Sequence, residues 1–101
     1  MTSENWEKLS LKEQMSNIHG EVRRAIRARN NYRNSISKEN HTDSYINKIH
    51  SLVILTCNDP KNERRKKELL DEENEIIRWT KGEVDDDYIE HYWKQYTDAI
   101  S

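Results

Sequence analysis

SLKEQMSNIHGEVRRAIRARNNYRNSI, residues 10–36, is the stretch on which the fold turns. From Met15 onward, Met15, Ile18, Val22, Ala25, Arg29, Tyr32 and Ile36 follow one another in steps of 3-4-3-4-3-4. That spacing is the seam of a helix packed in coiled-coil fashion. Leu11 precedes the seam and Ile26 widens it. Ser10 and Glu13 occupy the two positions of a capping box, in which the hydroxyl takes the N3 amide and the carboxylate takes the N-cap amide. The spacing therefore predicts a long helix over residues 10–36. Gly20 falls on its outer side, a weak point of about 1 kcal/mol relative to Ala.

Upstream, Thr2 or Ser3 can cap a short N-terminal helix that turns Trp6 and Leu9 inward. Downstream, residues 37–44 are polar and read as a connection. Thr42 or Asp43 would cap a second helix over residues 43–57. Ile46, Ile49, His50, Val53, Ile54 and Cys57 share one of its faces, and Leu52 and Leu55 broaden that face. A helix apolar through most of its circumference belongs at the centre of a bundle. A buried strand is the rival reading of residues 51–57, but one strand makes no sheet.

Asn58-Asp59-Pro60 is strong punctuation: Asp suits an N-cap and Pro the first helical position. A third helix is expected over residues 60–81, with Leu69, Leu70, Ile76, Ile77 and Trp79 apolar and Gly82 as its C′ residue. Val84, Asp85 and Ile89 have the spacing of a hydrophobic staple. They open a last helix over residues 85–100, with Asp85, Asp86 and Asp87 where the helix dipole favours negative charge. The expected architecture is a single all-α domain over residues 1–101, a small helical bundle of three main helices plus a short N-terminal helix.

Composition agrees with a thin core. Hydrophobic residues make up 33% and charged residues 36% of the 101 positions, against roughly 45–50% and 25% in ordinary soluble domains. Six Leu, ten Ile and three Val, with no Phe, sit at the edge of disorder. Disorder also calls for a high net charge, and the net charge here is only -2. Three Trp and five Tyr supply the missing apolar area. Two Gly and one Pro are too few for a fold of many turns and strands.

No run of about 18 apolar residues exists, so no membrane partner is expected. The N-terminus has neither the basic nor the apolar region of a secretory signal. Cys57 is the lone cysteine, and it fits a reducing, cytoplasmic setting.

Charge is placed unevenly. Residues 1–70 hold 14 basic and 9 acidic residues, and residues 71–101 hold 3 basic and 10 acidic. The two parts are expected to attract each other within the fold. Arg23, Arg24, Arg27, Arg29 and Arg33 form the first basic cluster, with Arg23, Arg27, Asn30 and Asn34 on the outer face of the long helix. Arg and Asn are the residues of phosphate and base-edge contacts. A solvated helix face has the same composition, and the pI of about 6.1 is low for a nucleic-acid-binding domain. Arg29 lies inside the seam, where it can snorkel, pair with a carboxylate of the acidic part or specify an oligomer. Arg64, Arg65, Lys66 and Lys67 form the second cluster, early in the third helix where cations oppose the dipole.

Three further constellations bear on chemistry. Glu72-Glu73-Asn74-Glu75 and Glu83-Val84-Asp85-Asp86 suggest a two-carboxylate Mg²⁺ arrangement like that of helical nucleotide pyrophosphohydrolases, but Ile76 stands where a third Glu belongs. His19, His41, His50 and His91 show no metal spacing, Asp87 and His91 read as a surface pair, His50 reads as a core or boundary residue, and Cys57 has no neighbouring base. The Tyr88, Tyr92, Trp93 and Tyr96 set is the most distinctive. Ile89, Tyr92, Tyr96 and Ile100 are expected to face the core, leaving Tyr88 and Trp93 at the boundary, where Tyr and Trp rimmed by acids suit protein interfaces.

The resulting expectation is a non-enzymatic interaction or regulatory module without cofactor or metal. It would bind a protein partner or a second copy of itself through Tyr88, Trp93, Arg23 and Arg27. The alternative is a nucleic-acid-binding accessory or regulator using Arg23, Arg24, Arg27 and Arg33 with Arg64, Arg65, Lys66 and Lys67.

Overall fold

Helix α1 (Ser3–Glu7) is a short segment capped by Thr2, whose Oγ1 accepts from Asn5 N at 3.3 Å. It exists to deliver Trp6, which is buried. The structure, a computed structural model, describes residues 2–100. Helix α2 (Leu11–Arg33) starts at the expected capping box, with Glu13 N bonded to Ser10 Oγ and Ser10 N to Glu13 Oε1, both at 3.1 Å. Helix α3 (Thr42–Asn58), a 3₁₀ segment (Pro60–Arg65), α4 (Lys66–Thr80) and α5 (Asp86–Ala99) complete the chain. Four long helices therefore accompany α1, one for each of the four long segments read from the sequence and one more than the three main helices counted there. Among the described residues there is no strand. Residues 51–57 are helical, since a lone strand would leave its backbone groups unpaired.

The helices close in a ring: α2 packs against α3 and α5, and α4 packs against α3 and α5. Met15, Ile18, Val22 and Ala25 of α2 meet Ile49 and Val53 of α3, Leu69, Ile76 and Trp79 of α4, and Ile89 and Trp93 of α5 in one buried cluster. Among the described residues no helix is long and apolar enough to cross a membrane.

Three local expectations are corrected. The α2 seam ends at Arg29, and Tyr32 and Ile36 are 46% and 73% exposed. The helix stops at Arg33 in a Schellman turn: Ile36 N bonds Asn31 O at 2.8 Å, Ser35 N bonds Tyr32 O at 3.1 Å, and Ser35 sits at φ 59°. Helix α3 is flanked by His41, which makes no side-chain cap bond, and Asn40 Oδ1 instead accepts from Thr42 N at 3.1 Å. Residues 60–65 are 3₁₀ rather than α, although Asp59 does cap them by accepting from Lys61 N at 3.2 Å.

The end of α4 and the start of α5 match the sequence reading. Gly82 has φ 77° and closes a second Schellman turn, with Glu83 N bonded to Arg78 O at 2.9 Å. Asp85 Oδ1 accepts from Tyr88 N at 2.8 Å.

One end of the bundle is tied by a buried polar network. Gln14 Nε2 donates to Trp6 O and to Asp59 Oδ2, both at 2.9 Å. Gln14 Oε1 accepts from Asn62 Nδ2 at 2.9 Å, which also donates to Thr56 O at 2.9 Å. Thr56 Oγ1 takes the Trp6 indole N–H at 2.9 Å and gives its own proton to Leu52 O at 2.7 Å. Lys61 closes the set as the ion partner of Asp59. Buried polar groups are tolerated when they are matched in this way.

Candidate functional site

Helix α5 has two working faces. Ile89, Trp93, Thr97 and Ile100, in steps of 4-4-3, point into the bundle and are buried. Trp93 is 0% exposed. It is a core residue and cannot present its indole to a partner, which corrects its expected place at the boundary. Tyr92 and Tyr96 stand one residue away from that stripe in each case, so a rotation of about 100° carries them to the flank beside α4.

Tyr88, Tyr92 and Tyr96 line this flank at successive turns. The Tyr88 and Tyr92 rings stack at 6.0 Å with 26° between planes, and Tyr88 is 41% exposed. The Arg78 guanidinium lies 5.9 Å from the Tyr88 ring centroid. Tyr96 Oη donates to Glu68 Oε2 at 3.0 Å. Burial, and then this bond, push the Tyr96 phenol well above its ordinary range. Glu68 is held below the usual carboxylate range by the Tyr96 bond and then by Arg65.

A cleft of about 300 Å³ opens between α4 and α5, lined by Arg65, Glu68, Asp71, Glu72, Tyr92 and Tyr96. A second hollow of about 430 Å³ is lined by Asp85, Asp87, Tyr88, His91, Tyr92 and Gln95. Tyr92 belongs to both, so they form one strip along α5. Glu72 is 2% exposed, and its Oε2 has no hydrogen-bond partner among the described residues. Burial, reinforced by Glu75, Asp71 and Glu68, pushes its carboxyl up to about 8. The sequence reading placed Glu72 only in the Mg²⁺ pattern and missed its burial. The signal was there in α4, because Leu69, Glu72, Ile76 and Trp79 run at 3-4-3 and put a carboxyl in the apolar stripe, as Arg29 puts a cation in that of α2.

The basic residues are placed differently. Arg29 pairs with Asp86 of the acidic part at 2.8 Å, as one of the sequence readings expected, and it also donates to Trp79 O at 2.9 Å. Arg23 pairs with Glu90 at 3.1 Å, and Arg24 with the buried Glu21 at 2.7 Å. Arg27 makes no ion pair among the described residues. It borders a hollow of about 250 Å³ shared with Arg24, Asn31, Ser37, His41 and Tyr45. Arg33 lines a separate hollow with Gly82, Asp85 and Asp86.

Arg64, Arg65, Lys66 and Lys67 are exposed on the 3₁₀ segment and the start of α4. Arg65 pairs with Glu68 at 3.2 Å and Lys66 with Glu63 at 3.0 Å. The Gln14–Asn62 bond marks where that segment meets α2. Arg24 lies ten residues further along α2 than Gln14, about 15 Å along the helix axis. Of the four proposed partner-binding residues, Arg23 and Arg27 share a hollow with Glu90, and Tyr88 and Trp93 do not join them. Arg23 meets Glu90 on the α2 side of α5, Tyr88 lies beside α4 and Trp93 is internal.

Several carboxylates of the Mg²⁺ pattern are taken by cations. Glu73 pairs with His50, Glu75 and Glu83 with Arg78, and Asp86 with Arg29. Among the described residues no group of three His, Cys, Asp or Glu side chains is placed to hold a metal ion. The pair with Glu73 also corrects His50, which is exposed on the α3–α4 surface. Cys57 is half-buried, and burial raises its thiol, the opposite of an activated nucleophile.

No protein-family model, curated protein or solved structure matches the chain.

Proposed function

We propose that this protein is a non-enzymatic helical interaction module that binds a basic segment of a protein partner along the α4–α5 strip. The observation that supports it is the continuity of the two hollows at Tyr92, with carboxylates on both sides of three tyrosines at one-turn spacing. Tyr rings give a partner apolar area at low entropic cost and keep a polar tip. The rim of Glu68, Asp71, Asp85 and Asp87 selects a cationic segment and speeds its approach. Within this reading Tyr88 keeps its expected role, Trp93 supports the strip from beneath, and Arg23 and Arg27 lie outside it. A lone, half-buried Cys57 suits a module that works in a reducing cytoplasm.

Titrating ¹⁵N-labelled protein with a deca-arginine peptide, against a deca-glutamate control, tests the reading. The expected shifts cluster on residues 68–72 and 85–96, and Tyr92→Ala weakens binding at least about tenfold, as loss of an aromatic anchor does. Shifts confined to Arg24, Arg27 and their neighbours with a labelled oligonucleotide, and none with deca-arginine, would overturn it in favour of nucleic-acid binding.

A further inference from the structure

We infer that Glu72 is the counter-ion for an arginine or lysine side chain that the partner inserts between α4 and α5. This rests on the α4–α5 strip being the partner surface.

The other buried or half-buried Asp, Glu and Arg side chains among the described residues have ion partners. Asp59 has Lys61 and Gln14, Glu21 has Arg24 and Lys48, and Arg29 has Asp86. Glu72 pairs with no cation among the described residues, and its Oε2 bonds nothing there. A buried ion without a partner is costly, so such a group stays neutral until a charge of opposite sign arrives.

The cleft suits a cationic side chain. Its volume of about 300 Å³ lies at the small end of ligand pockets. Tyr92 and Tyr96 wall it with rings against which an alkyl stem or guanidinium plane can lie. Arg65, the cation on its lining, is already paired with Glu68 at 3.2 Å, and Tyr96 bonds the same Glu68 oxygen. A divalent ion lacks a ligand set there among the described residues.

The groups facing Glu72 are Glu68, Asp71 and Glu75 of α4, Tyr92 and Tyr96 of α5, and Arg65 of the 3₁₀ segment. Glu68 titrates in the acid range, and both phenols are raised above theirs. Burial pushes the Glu72 carboxyl up to about 8, which leaves it mostly protonated in the free protein at pH 7. Insertion of a cation ionises it and releases a proton. Affinity then rises with pH below 8, by up to about tenfold per unit.

The test follows the Glu72 side-chain carboxyl by ¹³C NMR from pH 5 to 9, with and without deca-arginine, alongside calorimetry at pH 7 in two buffers of different ionisation heat. The expected result is a midpoint lowered by at least about one unit on binding, release of up to about one proton, and loss of both the release and the pH dependence in Glu72→Gln. That variant keeps the side-chain volume of the neutral acid, and its fold is checked by circular dichroism. Deca-arginine bound equally by wild type and Glu72→Gln, with an unmoved midpoint, overturns this inference and leaves the strip in place. No saturable binding of deca-arginine or decalysine overturns both.

Discussion

Arg29 and Asp86, 57 residues apart, meet at 2.8 Å around Trp79. The Arg29 guanidinium carbon lies 3.7 Å from the Trp79 ring centroid, and the Trp79 indole donates to the same Asp86 oxygen at 2.7 Å. The three residues bind the α2 seam, the end of α4 and the start of α5 into one joint. A cation in a hydrophobic seam is thereby turned into a specification of how the bundle closes.

Loss of this joint has a defined cost. Arg29→Ala leaves the Asp86 carboxylate partly buried without its ion partner, and breaking such a pair costs about 2–4 kcal/mol. Urea unfolding at pH 7 measures it. A loss below about 0.5 kcal/mol would show that the joint is ornamental.

The joint also sets an acid limit. Burial acts to raise the Asp86 carboxyl, but the bonds from Trp79 and Arg29 outweigh it and hold the group below its ordinary value. A depressed folded-state pKa contributes stability above the unfolded value that is lost as pH falls through the folded one. Wild type is therefore expected to lose stability below about pH 4, and Asp86→Asn to flatten that loss. Parallel acid titrations of both proteins, followed by circular dichroism, decide it.

Glu72 works in the opposite sense. Its folded pKa is raised from 4.5 to about 8, so its contribution is fully present below pH 4.5 and disappears as pH rises to 8. Glu72→Gln is expected to be more stable than wild type at pH 8, on the order of a few kcal/mol, and equal to it at pH 4.5. A constant difference across that range contradicts the assignment.

The buried network predicts coupling. Gln14→Ala and Asn62→Ala each strand polar groups and cost about 1–3 kcal/mol. The double variant is expected to lose less than the sum, because the two side chains bond each other. Additive losses in chemical denaturation would mean that they act separately.

The two helix ends make a matched pair. Ser35 holds a left-handed φ of 59° without being glycine, so Ser35→Gly is expected to stabilise by about 0.5–1 kcal/mol. Gly82 holds φ 77°, and the space that an alanine methyl would fill there is open. Gly82→Ala therefore costs about 1 kcal/mol through the backbone alone. Thermal melts of the two variants moving in the same direction would refute the pairing.

Residue order by itself determined the all-α class, the Ser10–Glu13 capping box, the Asp59 and Asp85 caps and the Gly82 stop. It also marked Arg29 as a seam cation and Tyr88 as a surface aromatic. These are local matters, decided by bonds within four or five residues and by a period of 3.6. Only the tertiary structure decided that Trp93 turns inward while Tyr92 and Tyr96 flank it. Neighbours on a helix differ by about 100°, and two bulky aromatics in a row satisfy the period equally well until a facing helix chooses between them. The same holds for the end of the seam at Arg29, where α5 stops covering α2, and for His50, drawn outward by Glu73. It holds most of all for Gln14, Asn62 and Glu72. Polar letters in a sequence show neither their partners nor their lack of them, because hydrogen bonds and desolvation are properties of what surrounds a side chain in space.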